Sequence, residues 1–577
     1  MKTRKEIITI NGSTKYKNNN QKRFFFLGGL YEQIKVNALP TSSNLQARQN
    51  NQDYSLGTWN LVGDSGVSAM HAVVISSRKV IFIDRLEQNH LLRPDGLAAI
   101  SAEYDLETNQ ARPLTVYTNT FCSAGSFLAN GTLIEAGGSN GDKMNYRDGL
   151  QTLRIYDVSI GDWIELEGVL PSNRWYPTML TLPAGNILII GGSTAAAGVN
   201  KPGINNPTYT IYPPTNGVMQ DINFDFLVET MPYNLYPIVH LIPNFEGKTL
   251  LFVFASTKGI AYDLGTGQTV TKYPDLPGAF RSYPLTGTSV MLPLSPTDSY
   301  NPTIMICGGN KAQLISSISE ASCGRLELNT PNAQWDTDNF GGTPRVMPDV
   351  TFLVDGSILF INGGGSGYAG LRKGNGANAL FPANDPVFFP YLYDPFAKTY
   401  KALASSTIPR MYHSTATLLP DGTILVAGSN PSGSVTLDVK FPTEYRVEIY
   451  SPPYIFSQNR PNILSLNSLQ INQQRIQITY NQTVTLVVQI NSANAPSLKA
   501  SIIHHGFVTH STNMNQRYVY LDIENSYESA PNQYVLTVRI PPNPTIIAPG
   551  PHFIYVFNDD SPCVCGAEVL LNSQQST

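Results

Sequence analysis

The chain runs to 577 residues with a formal net charge of −4, 46 glycines, 41 prolines, 10% aromatic residues and only 14% charged ones. That length exceeds one ordinary compact core and calls for several domains or a repeat, and the Gly, Pro and aromatic usage suits short strands and tight turns, an all-β composition. No Lys/Arg-rich block provides an electrostatic footprint for nucleic acid or an anionic membrane, and no apolar run is long enough to span a bilayer.

Residues 1–55 read as leader or linker. Met1 to Asn20 is polar, Phe24 to Leu30 is an apolar patch shorter than a good secretory core, and Ser42 to Tyr54 is rich in Asn, Gln and Ser. Between residues 56 and 455 one hairpin pattern recurs: a turn with Gly or a charged residue, an apolar strand, then a Gly-rich exit. Its seven copies are SRKVIFID (77–84), NGTLIEAGG (130–138), AGNILIIGG (184–192), GKTLLFVFA (247–255), PTIMICGG (302–309), DGSILFINGG (355–364) and DGTILVAGS (421–429). A spacing of roughly 54 to 64 residues is that of a four-stranded blade, which predicts a seven-bladed kelch-type β-propeller. RIYD (154–157), IAYD (260–263) and YLYD (391–394) read as outer blade strands. After VEIYSPPYIF (447–456) the period stops, and TVTLVVQI (483–490) and YVLTVRIP (534–541) predict a separate immunoglobulin-like β-sandwich over 456–577.

Registering the hairpins against one another selects candidate site residues. Cys122 stands nine residues before Gly131, as Tyr176 does before Gly185 and His413 before Gly422. Equivalent positions lie at one height around a propeller axis, so these side chains are expected to converge at one end of the central channel. Tyr412 adjoins His413, and neighbours in a regular strand face opposite ways, so both reach one centre only if the strand begins irregularly. Tyr236, Tyr283 and Met347 fall near inner strand starts and are candidate pocket residues. His71 is a candidate support for the ligands, whereas His504, His505 and His552 read as structural. Five cysteines, Cys122, Cys307, Cys323, Cys563 and Cys565, are by count alone either buried thiols or pairs with one left over. No GxGxxG stands between a strand and a helix, so nothing indicates a nicotinamide or flavin.

The stretches GTWNLVGDSGVSAMHAVV (57–74), FCSAGSFLANGTLIEAGG (121–138), NRWYPTMLTLPAGNILIIGG (173–192), RMYHSTATLLPDGTILVAG (410–428), PTEYRVEIYSPPY (442–454) and THSTNMNQR (509–517) carry a resemblance. The chain resembles the glyoxal oxidase branch of the copper radical oxidases, relatives of galactose oxidase, over nearly everything from Gly57 onward. The resemblance implies a Cu(II) site with Tyr176 as equatorial ligand, Tyr412 as axial ligand and general base, and His413 and His510 as the two imidazoles, His510 arriving from a sandwich loop. It implies a thioether joining Cys122 to Tyr176 as the radical cofactor. With Cys122 so used, Cys307 pairs with Cys323 and Cys563 with Cys565 in an oxidising compartment.

The implied reaction converts small aldehydes of the glyoxal and methylglyoxal type to carboxylic acids while O2 becomes H2O2. A primary-alcohol or galactose-type oxidase on the same site, or a kelch propeller used only for binding, are the alternatives. The expected partners are the small substrate, O2 and peroxide-using enzymes, with no nucleic acid and no membrane, and the protein is expected to be a secreted monomer. Where galactose oxidase stacks a tryptophan on its modified tyrosine, this chain has Thr194, which argues against a sugar; Trp59 or Trp175 is left to fill that role. Sequons stand at Asn11, Asn130 and Asn481.

Overall fold

The computed structural model describes residues 53–572 apart from 143–144, 197, 375–378, 472–474 and 492–495. Nearly all of the leader expected over 1–55, and the Asn11 sequon, therefore lie outside the described residues.

Each of the seven hairpin copies supplies the second strand of a four-stranded antiparallel blade. These second strands are buried almost throughout, as in Ile187–Ile190 and Ile424–Gly428, because both faces pack against neighbouring blades. That is why they read as continuous apolar runs instead of alternating ones. The turns leading into them need a left-handed residue, and Gly185 and Gly422 supply it at φ 85° and 87°.

The aromatic-Asp segments are third strands, Leu153–Asp157, Lys258–Asp263 and Tyr391–Asp394, and not the outermost ones. Their terminal aspartates close the turn to the fourth strand. Asp157 Oδ1 accepts from the Ser159 backbone N–H at 2.8 Å, Asp263 from Gly265 at 2.9 Å and Asp394 from Phe396 at 2.8 Å, the Asx geometry that favours this residue at a turn.

The ring closes by mixing the two ends of the repeat. Thr58–Asp64 pairs antiparallel with Arg446–Ser451 and becomes the outer strand of the blade whose inner strands are Ser414–Leu418 and Ile424–Gly428. Main-chain hydrogen bonds thus join the first blade to the last across the seam.

The strands of the second unit run from Asn462–Leu466 to Ala567–Asn572 and form a β-sandwich of two sheets bridged by one long strand. Arg517–Ala530 pairs through its first residues with Leu498–His504 and through its later ones with Gln533–Arg539. Thr483–Gln489 alternates buried and exposed residues along its length, the pattern of a sheet with one face on a core.

Between these sandwich strands, Phe507–Thr509 and Thr512–Met514 form a hairpin that leaves the sandwich and enters the propeller. Phe507–Thr509 pairs antiparallel with His71–Val74, the innermost strand of the first blade, so that His71 faces Thr509. The blade becomes a six-stranded sheet.

Cys307 and Cys323 are directly opposed on adjacent strands, with Cα atoms 4.1 Å apart, and form the expected disulfide. The expected Cys563–Cys565 bridge is not formed. Cys563 is buried, Cys565 is half-buried, and both are free thiols, because closing a bridge across a single intervening residue forces a strained ring.

Candidate metal centre

At the inner strand starts one short pattern recurs that the hairpin register did not use: RWYP (174–177), NLYP (234–237), RSYP (281–284), RVMP (345–348) and RMYH (410–413). Its third position holds Tyr176, Tyr236, Tyr283, Met347 and Tyr412, whereas the strand register sets His413, one residue on from Tyr412, level with Tyr176 and Cys122. The arginines brace four of these starts from within the core. Arg174 donates to the Gly191 carbonyl at 2.9 Å and Arg410 to that of Gly428 at 2.5 Å, while Arg410 also holds Glu448 through two hydrogen bonds of 3.0 and 2.8 Å.

At five of the blade starts the backbone is left-handed. Cys122, Tyr176, Tyr236 and Met347 have φ of 56°, 64°, 46° and 56°, and His413 has 64°, a region costly for residues with a Cβ and typical of functional sites. This is the irregularity that Tyr412 and His413 require. Their rings stack 3.7 Å apart at 28°, facing the same side. His510 arrives on the inserted hairpin. With Ser511 it forms a two-residue turn between the paired Thr509 and Thr512, at φ 47° and 66°, the signature of a type I′ hairpin.

All five candidate residues meet. The His413 and His510 rings lie 4.8 Å apart at 81°, and His510 stands 5.7 Å from the Tyr176 ring and 5.6 Å from that of Tyr412. Ligand atoms of Cys122, His413 and His510 lie within 4.8 Å of one another, and Cys122 Sγ is 3.4 Å from His510 Nε2 across 388 residues of sequence. The Tyr176 backbone N–H donates to the Cys122 carbonyl at 2.9 Å, which holds the two starts side by side.

The donors are prepared for a cation. His413 Nδ1 is 2.9 Å from the Asn430 carbonyl, which can only accept, so Nδ1 carries the proton and Nε2 presents a lone pair. That Nε2 is buried without a partner. Asn430 is itself held by its side-chain N–H on Glu87 at 2.6 Å, an outer contact of the kind that orients a ligating imidazole. Burial, then the neighbouring His510, pushes His413 well below its usual range, and burial holds His510 down to about 3. Both imidazoles are neutral. Burial pushes the phenols of Tyr176 and Tyr412 well above theirs, so neither ionises here without a positive charge beside it. Two imidazole nitrogens and two phenol oxygens form a donor set suited to a tetragonal transition metal.

The other expectations fall out around this cluster. Tyr283 joins it directly: its hydroxyl is 2.9 Å from those of Tyr176 and Tyr412. Tyr236 packs on the His510 ring at 5.0 Å but donates its hydroxyl proton to the Ser123 carbonyl at 2.8 Å. Trp175 lies 4.4 Å from the Tyr176 ring, tilted by 44°. Trp59 does not come near; its indole N–H bonds the Ala404 carbonyl at 2.7 Å on the outer strand of the closing blade. Thr194 donates to the Ile204 carbonyl. His71 sits with its ring 6.4 Å from that of His510. His505 meets the Tyr555 hydroxyl at 2.9 Å and His552 the Gly550 carbonyl at 2.8 Å, while His504 accepts the Gly506 N–H at 3.1 Å, all within the sandwich.

A family model described as glyoxal oxidase N-terminus matches residues 70–454. The chain belongs to the glyoxal oxidase family. A second model, described as galactose oxidase-like, early set domain, matches residues 460–567, a span that includes the hairpin carrying His510. The chain is 34% identical to aldehyde oxidase GLOX of Vitis pseudoreticulata, over 88% of this chain and 96% of that protein. It is 32% identical to aldehyde oxidase GLOX1 of Arabidopsis thaliana, over 88% of this chain and 83% of that protein. Among solved structures, a fungal alcohol oxidase in complex with copper has the same fold, with a TM-score of 0.69 at 21% identity over 90% of this chain and 100% of that one.

Among the described residues, no helix of this glyoxal oxidase family member is long and apolar enough to cross a membrane. The sequons at Asn130 and Asn481 are exposed.

Proposed function

We propose that this chain is a copper-dependent oxidase that converts small aldehydes to carboxylic acids and dioxygen to hydrogen peroxide. The observation that carries the reading is the meeting of Tyr176, Tyr412, His413 and His510 around Cys122, with the His413 Nε2 lone pair buried and unpartnered. In this reading His413 and His510 hold the metal through nitrogen, and Tyr176 and Tyr412 through their phenol oxygens. Copper, when bound, supplies a one-electron acceptor, and the oxidised Tyr176 ring supplies the second.

The chain's own residues do the rest. Cys122 Sγ bonds to the Tyr176 ring; thiol and ring each give up a hydrogen, which dioxygen carries away. An aldehyde hydrate then loses its hydroxyl proton to the Tyr412 oxygen, acting as general base, and a hydrogen atom from carbon to Tyr176. The two electrons and two protons removed from the hydrate reappear in hydrogen peroxide, so each turnover balances.

Two features favour small aldehydes over sugars. Tyr176, Tyr412, His413 and His510 are only 1–3% exposed, leaving a narrow approach, and Thr194 stands where a sugar oxidase has its stacking tryptophan. The Cys307–Cys323 disulfide fits secretion into an oxidising compartment. The test is peroxide release by the copper-loaded protein with methylglyoxal, galactose and simple primary alcohols. Methylglyoxal is expected to give the highest kcat/KM; equal or faster turnover of galactose would overturn the substrate assignment, and peroxide release without copper would overturn the metal.

A further inference from the structure

We propose that Tyr283 is a positioning residue of this centre: its hydroxyl accepts from Tyr176 while that phenol keeps its proton and donates to the Tyr176 oxygen once it is ionised, and its ring covers Tyr176, so that together they set how strongly the oxidised tyrosine pulls electrons. The inference rests on the reading of Tyr176 as the redox tyrosine.

Of the four tyrosines at the third position of the inner-start motif, two are assigned to the metal and Tyr236 commits its hydroxyl to the Ser123 carbonyl. Tyr283 is the one left, and its hydroxyl lies 2.9 Å from both the Tyr176 and the Tyr412 hydroxyls. A phenol has one proton to give. Once Tyr176 and Tyr412 are ionised they only accept, so Tyr283 becomes the donor between them. A hydrogen bond to a charged oxygen is among the stronger kind, and it favours the electron-rich phenolate over the neutral radical.

Ring geometry adds a second contact. Tyr283 stacks on Tyr176 with centroids 4.3 Å apart and planes 27° apart, flatter than the 44° tilt of Trp175 on the same ring. With Trp59 distant and Thr194 without a ring, Tyr283 is the side chain that lies flattest over Tyr176 among those described. Residual exposure of 4% keeps water from replacing its hydrogen bond.

The two contacts separate by substitution. Tyr283→Phe keeps the ring and loses the donor; Tyr283→Leu loses both. In each copper-loaded variant, mass spectrometry reads the Cys122–Tyr176 crosslink, metal analysis reads copper, and a redox titration followed by optical absorption reads the midpoint of the oxidised tyrosine. Copper and crosslink are expected at wild-type levels in Tyr283→Phe. Its midpoint should fall by about tenfold in the oxidation equilibrium, or about 59 mV for one electron, with a similar drop in kcat at little changed KM. In Tyr283→Leu the oxidised form should also decay faster than in Tyr283→Phe. A wild-type midpoint in a crosslinked, copper-replete Tyr283→Phe overturns the proposal, as does loss of copper from that variant, which would make Tyr283 a structural residue. Wild-type protein that forms no crosslink at all would sink the parent reading, and this one with it.

Discussion

At the scale of single residues, proton acceptor and ligand can be told apart. Tyr412→Phe removes an oxygen and nothing else, so copper and the Cys122–Tyr176 crosslink should remain while turnover falls by about 10² to 10⁴-fold, the usual cost of losing a general base. Peroxide assays on the copper-replete variant check this, and near-normal rates would remove Tyr412 from proton transfer. His413→Ala deletes a neutral nitrogen whose other ring position is fixed by Asn430. It should lower bound copper, read by metal analysis, and with it the crosslink. Sequence register picked out Cys122, Tyr176 and His413 by a shared offset, and the structure brings these three together. The same register treated Tyr283 as one pocket residue among several. The Arg-x-Tyr-Pro repeat was the available signal that it stands at an inner strand start as Tyr176 does, but the bridging hydroxyl was not legible, because it depends on side chains meeting across the channel.

Single elements carry two further expectations. The hairpin Phe507–Thr509 and Thr512–Met514 turns on His510 and Ser511, both left-handed. Ser511→Gly should leave copper binding intact, whereas a β-branched Ser511→Val should strain the turn by about 1–3 kcal/mol and weaken copper binding by displacing His510; a copper titration of the two variants separates them. The blade starts depend on their buried arginines. Arg410 and Glu448 are both buried and doubly hydrogen-bonded, so Arg410→Ala leaves a lone carboxylate in the core and should cost about 3–5 kcal/mol, seen as a lower denaturant midpoint. Second strands were readable from their apolar runs and turn glycines. The rank of the aromatic-Asp strands was not, since third and fourth strands differ in what lies beyond them, and the exposed fourth strands, such as Gln268–Lys272, have little apolar pattern of their own.

Across the whole molecule, buried imidazoles govern the response to acid. Burial pushes His240 and His505 down to about 3 and His552 to about 4, below the usual value near 6.5. The unfolded chain therefore binds more protons between those limits. Stability from these groups is fully present above about pH 6.5 and is lost as pH falls toward 3, each histidine steepening the slope by up to about 1.4 kcal/mol per pH unit. Urea midpoints at pH 7 and 5 should show a marked fall that His505→Gln reduces; a flat profile would contradict the burial of these rings.

The sequence by itself determined the ring of blades, the register that aligns their inner starts and the family to which the chain belongs, because each of these is written in short local motifs, the hairpin recurring from one blade to the next. Tertiary structure alone decided which of those starts face each other, that Trp175 and not Trp59 reaches Tyr176, and that a sandwich hairpin pairs with His71–Val74 to deliver His510. These depend on contacts between segments hundreds of residues apart, such as the 388 that separate Cys122 from His510, and no local periodicity encodes where such segments meet.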